Sequence, residues 1–175
     1  MQYLLKVSLE KSPIWRLVAI DGMADRAFVG DLIALSFDYP VSLRKFVVNG
    51  EVISAGSKIS DPKDLLSFDS LELKEQDKFS FICHFDEILE HRVDVLKCEE
   101  HLFCVMPSTL VGVGLINPDN VLTLKNIVEY ADKDDTPSLN LRDCTTRMRA
   151  YGVQRVDAHK ALLNAGANPI KFNLE

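Results

Sequence analysis

A surplus of positive charge is missing from this chain. Its 20 lysines and arginines stand against 26 aspartates and glutamates, a net charge of −6. A general binder of nucleic acid or of anionic membranes needs the opposite balance. Long apolar runs are missing too: the longest stretch without a polar residue, 110–116, falls far short of the roughly 20 residues a membrane-spanning helix requires. The first residues alternate and carry Lys6 and Glu10, so they form no signal-peptide apolar block. No Cys-x-x-Cys pair exists among Cys83, Cys98, Cys104 and Cys144. Cys83 and Cys144 sit on apolar stripes, where a free cysteine behaves as a small hydrophobe, and a reducing cytoplasm is the expected compartment. No internal repeat is visible. Gly112-Val113-Gly114 lacks the strand-loop-helix context and the Lys-Ser/Thr of a phosphate loop.

What is present is enough apolar material, 47% of 175 residues, for one domain or a domain with a small appendage. The stretch 79–98 is the most regular. Phe79, Phe81, Cys83 and Phe85 alternate with Ser80, Ile82, His84 and Asp86, and His91, Val93 and Val95 alternate with Arg92 and Asp94 beyond Asp86-Glu87-Ile88-Leu89-Glu90. That period predicts two half-buried strands joined by a turn. Pairing Phe85 with His91, Cys83 with Val93 and Phe81 with Val95 puts the apolar side chains on one face, with 87–89 as the loop. A register setting His84 opposite His91 would pair Phe81 with Asp94 and Cys83 with Arg92, and burial argues against it.

Elsewhere, Tyr3, Leu5, Val7 and Leu9 alternate as a first strand. The run 14–20 is apolar on both faces apart from Arg16 and predicts a central strand. Phe28, Leu32 and Leu35 recur at helical spacing behind Asp25 or Asp21 as cap, before Pro40. Asn49-Gly50 predicts a tight hairpin between 45–48 and 51–54. A short helical piece is expected over 62–66 and a strand over 102–106. From Pro118 the period turns helical. Val121, Leu124, Ile127, Val128 and Ala131 follow Asp119 or Asn120 as cap. Leu141, Cys144, Met148 and Tyr151 follow Asn140 and end at Gly152. Ala158, Ala161, Leu162 and Ala165 are read as the inward stripe of a third helix capped by Asp157 and closed by Gly166.

Several of these residues resemble the plasmid pRiA ORF-three-like family, the insertion-element passenger TnpR-like proteins. The likeness runs through Tyr3-Leu4-Leu5-Lys6-Val7-Ser8-Leu9 into Pro13-Ile14-Trp15-Arg16, then through Gln76-Asp77-Lys78-Phe79 to Leu89-Glu90-His91, over roughly residues 1–105. Cys83-His84-Phe85-Asp86-Glu87 stands where that family has Tyr-Asp-Phe-Gly-Asp, and Leu89 where it has tryptophan. The resemblance implies an α+β fold with an antiparallel sheet and brings no established activity.

Each group able to carry chemistry also has a structural reading. His91 falls on the apolar face and reads as a satisfied core histidine. His84, Asp86, Glu87 and Glu90 gather near the hairpin turn and form a candidate surface site whose carboxylates could hold a cation; the structural reading is a solvated, charged turn. Trp15 reads as a core anchor and Arg16 as ion-paired or at a rim. Arg142, Arg147, Arg149 and Arg155 make the C-terminal helices locally basic and form a candidate nucleic-acid contact.

The expectation is an α+β protein. Residues 1–117 form an antiparallel β-sheet carrying one packed helix, and 118–175 a small helical domain of three helices. The first functional reading is a non-enzymatic binding or protein-interaction module, cytoplasmic, with a protein partner, no membrane, and neither cofactor nor metal. The alternatives are a nucleic-acid-associated regulator acting through the basic C-terminal helices, and an enzyme using His84, Asp86, Glu87 or His91.

Overall fold

The computed structural model describes residues 1–56 and 65–166. Its alternating segments become strands β1 (Gln2–Leu9), β2 (Trp15–Asp21), β3 (Leu43–Val48), β4 (Glu51–Ser54), β5 (Lys78–His84), β6 (Ile88–Glu99) and β7 (Ser108–Val113), with helices α1 (Arg26–Ser36), α2 (Leu124–Ala131) and α3 (Leu141–Asn164). The strands form one seven-stranded antiparallel sheet in the order β4-β3-β5-β6-β1-β2-β7. The α+β expectation holds at that level.

One face of the sheet is the core. Leu5, Val7, Val18, Phe46, Phe81, Val93 and Val95 point into it, and Val29, Leu32, Ile33 and Phe37 of α1 and the segment after it close over them. Leu122, Ile127 and Met148, from the C-terminal part, belong to the same buried cluster. The other face stays open, with Trp15, Leu17, Val47 and Ile82 half-buried and Val52, Arg92 and Val113 exposed.

Local signals were reliable where they were self-contained. Asp25 caps α1 by accepting from the Phe28 N–H at 2.7 Å. Asn49 and Gly50 take positive φ in the β3–β4 turn. Asn140 caps α3, and Gly166 lies just beyond its end at φ +86°.

Several expectations are corrected. In the β5–β6 hairpin His91 pairs with Phe81, Leu89 with Cys83 and Val93 with Phe79. The apolar set still lies inward, because a slip by an even number of residues preserves every face. Leu89 belongs to the same phase and is buried, so the loop is 85–87 rather than 87–89. β2 is interior but next to the edge strand, and the centre of the order is β6. The strand expected over 102–106 is absent; the edge strand starts after Pro107, which has no N–H to give a ladder.

The cap of α2 is Thr123, not Asp119 or Asn120. Gly152 ends nothing: α3 continues through it to Asn164, so two helices, not three, follow residue 117 among the described residues. A helix-interior glycine costs only about 1 kcal/mol, less than flanking turns contribute. Asp157 is therefore mid-helix, and Ala158, Ala161, Leu162 and Ala165 face solvent. Trp15 is on the open face under the Lys6 ammonium, 5.1 Å from its ring centre, rather than in the core. The helical piece expected over 62–66 lies largely outside the described residues.

Candidate interaction surface

The two halves of α3 have different surroundings. Asn140 Oδ1 accepts from the N–H groups of Arg142 and Asp143 at 3.1 and 3.4 Å, fixing the start. Cys144 and Met148 are fully buried. Thr145 Oγ1 accepts from the Thr109 N–H at 3.0 Å, which satisfies an edge group of β7. Tyr151 donates to Asp31 Oδ2 of α1 at 2.6 Å, and Arg44 of β3 meets Asp31 Oδ1 at 2.5 Å. This buried ion pair ties helix, helix and sheet together. Burial and then the hydrogen bond to Asp31 push the Tyr151 phenol up to about 12.

Past Tyr151 the helix clears the sheet. Residues 156–166 are exposed, and with them an apolar stripe: Val153 is 61% and Val156 53% accessible, and Leu163 continues the row two turns on. Beside this stripe lie Phe28 on one flank and Met106-Pro107 on the other. They bound two adjoining open cavities of about 420 and 590 Å³ that share Phe28, Gly152, Val156 and Lys160. Gly152 is where a side chain would stand against Phe28, with an added Cβ 3.5 Å from Phe28 Cζ. Together these form one shallow groove with an apolar floor.

The arginines expected to form a nucleic-acid contact have divided roles. Arg147 pairs with Asp38 at 3.2 Å and donates to the Leu35 carbonyl. Arg155 pairs with Asp25 at 2.7 Å and lies 4.7 Å over the Phe28 ring, so it braces the groove wall. Arg149 donates to the Pro107 carbonyl at 3.1 Å and to Ser108 Oγ at 2.8 Å. Arg142 is exposed on the first turn.

The acidic residues of the hairpin turn serve α2. Asp86 Oδ2 accepts from the Leu122 N–H at 3.2 Å and Glu87 Oε2 from the Leu124 N–H at 2.9 Å. The Leu124 N–H is a first-turn donor that a helix start leaves unpaired, so Glu87 adds to the Thr123 cap there, while Asp86 pins the Leu122 N–H of the segment leading into α2. Glu90 accepts from Ser80 Oγ at 2.9 Å. His84, at the end of β5, pairs with Leu43 and Ile88 and does not join them. Among the described residues, no group of three or more His, Cys, Asp or Glu side chains is placed to hold a metal ion.

His91 is fully buried between Phe37, Tyr39 and Phe81. Its Nδ1 lies 3.1 Å from the Phe81 carbonyl and its Nε2 2.9 Å from Tyr39 Oη. The carbonyl can only accept, so Nδ1 carries the hydrogen, Nε2 accepts, and Tyr39 donates. Burial pulls the imidazole down to about 4, against the opposing effect of the Phe81 carbonyl. Burial likewise pushes the Cys83 thiol up to about 12 and the Tyr39 phenol well above its ordinary range. Arg16 is buried rather than ion-paired or at a rim. It donates to the carbonyls of Ser36, Trp15, Val113 and Gly114 at 2.7–2.9 Å over the Phe37 ring, and burial lowers it to about 10.

Val153, Val156, Phe28 and Met106 were missed as a site because they come from three separate stretches of chain. Only Val153 and Val156 left a trace, as apolar residues outside the Cys144–Met148 stripe. No helix among the described residues is long and apolar enough to cross a membrane. No family model matches this chain, and no curated protein matches it. Among solved structures it is similar to MM3350, a protein of unknown function from Methanosarcina mazei Go1. That protein is 16% identical with a TM-score of 0.56, over 81% of this chain and 95% of the other. At that identity the likeness shows the fold alone.

Proposed function

We propose that this chain is a non-enzymatic protein-interaction module of the cytoplasm, and that its binding surface is the groove along α3 between Phe28 and Met106-Pro107. One observation carries this reading: the distal half of α3 leaves a row of valines in solvent beside a preformed apolar wall. A helix facing a sheet needs one apolar stripe, and this one has a second that nothing in the described fold covers.

The remaining polar groups support the same reading by what already occupies them. Asp86 and Glu87 are engaged by the backbone N–H groups of Leu122 and Leu124, His91 has both nitrogens bonded inside the core, and Cys83 is buried. The nucleic-acid reading draws less support, since Arg147 and Arg155 are neutralised by Asp38 and Asp25. Kinship with the plasmid pRiA ORF-three-like proteins is part of the same proposal; it is supported by Pro13-Ile14-Trp15-Arg16 leading into β2 and by the antiparallel sheet. Free cysteines suit the cytoplasmic assignment.

The test is co-purification with the full chain and with Val156→Asp, followed by reconstitution with whichever purified protein distinguishes them. The expected result is a partner that binds the native chain and is lost with Val156→Asp at unchanged thermal stability. Identical recovery with both chains would remove the groove from consideration.

A further inference from the structure

We infer that the occupant of this groove is an acidic amphipathic helix of a partner protein, an inference that rests on the docking reading above. The floor supplies the apolar half of the argument, since Val153 and Val156 project between Phe28 and Met106. The rim supplies the charge. Arg149, Arg155 and Lys160 line it, against Asp157 alone. Arg155 is already matched by Asp25. Among the described residues no carboxylate pairs with Arg149 or Lys160, although this chain carries a net charge of −6. Arg149 is moreover held still by neutral acceptors, the Pro107 carbonyl and Ser108 Oγ, which leave its charge uncompensated. Two cations without counter-ions at the ends of an apolar floor match a ligand with carboxylates at both ends of an aliphatic face.

The spacing narrows the ligand further. Arg149 and Lys160 are about 16 Å apart along the axis at the helical rise per residue. A helix lying along the groove meets both when its acidic residues are separated by three turns, with aliphatic residues at i, i+3 and i+4 between them. A second copy of this chain fits poorly, because a two-fold antiparallel contact through α3 would set Arg149 against the other copy's Lys160 and Lys160 against its Arg149, cation against cation. Nucleic acid would leave the valine floor unused.

The experiment titrates the full chain with fluorescein-labelled amphipathic peptides of 18 residues, reading anisotropy. The three peptides share one Leu/Ala face and carry Glu, Gln or Lys at two positions three turns apart. The Glu peptide is expected to bind at least tenfold more tightly than the Lys peptide and to weaken with added salt. Lys160→Glu, an exposed change, is expected to reduce that preference, and the Arg149→Glu/Lys160→Glu pair to reverse it. Val156→Asp is expected to abolish all binding. If Glu and Gln peptides bind equally and Val156→Asp still abolishes binding, the acidic partner is wrong and the groove stands. If no peptide binds, or Val156→Asp changes nothing, both readings fall. Tighter binding of duplex DNA than of the Glu peptide at the same salt, or a dimer dispersed by Val156→Asp, overturns the inference in favour of that occupant.

Discussion

Tyr39 donates its phenol hydrogen to Nε2 of His91 across 2.9 Å in the middle of the core. With Nδ1 on the Phe81 carbonyl, both ring nitrogens are satisfied and the ring is neutral. The contact joins the segment after α1 to β6, and burial there keeps His91 from titrating in its ordinary range.

That burial makes stability pH-dependent with a definite sign. The folded imidazole titrates at about 4 and the free one at 6.5. The unfolded chain therefore binds the extra proton between those values. The His91 contribution is whole above pH 6.5 and is lost as pH falls towards 4, at about 1.4 kcal/mol per pH unit. In urea melts from pH 7 to 4, native protein is expected to lose about 3 kcal/mol more than His91→Gln over the same range. Parallel curves would show that the ring is not buried neutral. At pH 7, Tyr39→Phe is expected to cost about 1–3 kcal/mol by leaving Nε2 without its donor.

Arg44 and Asp31 form the most enclosed ion pair of the described fold, with side chains 5% and 6% accessible. Arg44→Met takes the guanidinium from a buried carboxylate and is expected to cost about 3–5 kcal/mol in urea unfolding. Arg44→Met combined with Asp31→Leu is expected to recover much of that loss, because two apolar side chains need no solvation. Additive losses would contradict a coupled pair.

Two helical glycines are expected to respond in opposite directions to alanine. A Cβ on Gly30 would lie 2.0 Å from the Ala55 carbonyl oxygen, backbone that cannot yield cheaply, so Gly30→Ala is expected to destabilise strongly. A Cβ on Gly152 meets only Phe28, at an ordinary 3.5 Å. Gly152→Ala is expected to raise stability by up to about 1 kcal/mol and to increase helical circular dichroism. A loss on Gly152→Ala would mean that α3 breaks there.

Asp86 holds the approach to α2 and Glu87 its first N–H, beside the Thr123 cap. Asp86→Asn with Glu87→Gln is expected to lower stability by about 1–2 kcal/mol through weakened acceptors at a helix start. Adding millimolar calcium or zinc is expected to leave the melting temperature of the native chain unchanged. A rise with metal that the double variant loses would turn this turn into a cation site.

The residues that read correctly are those whose signal closes within a few positions. Alternation in β1, β5 and β6 names the inward side chains, because a strand's faces repeat every second residue. Asp25, Asn140 and Asn49-Gly50 name their caps and turn, because a cap bonds its own first turn and a turn its own backbone. Alternation is blind to even slips, so the partner of His91 depended on where Leu89 could be buried. Whether Gly152 would break a helix depended on what the flanking turns of α3 pack against.

By itself, then, the sequence determined which side chains of β1, β5 and β6 face the core, where α1 and α3 begin, and that the class is α+β, since each follows from local periodicity. The tertiary structure alone decided the hairpin register, the bonding of Asp86 and Glu87 to the start of the α2 segment, and the groove of Phe28, Met106, Val153 and Val156. Each of those joins residues far apart in the chain, and the burial and hydrogen bonds that join them exist only once α1, the edge strand and α3 have packed.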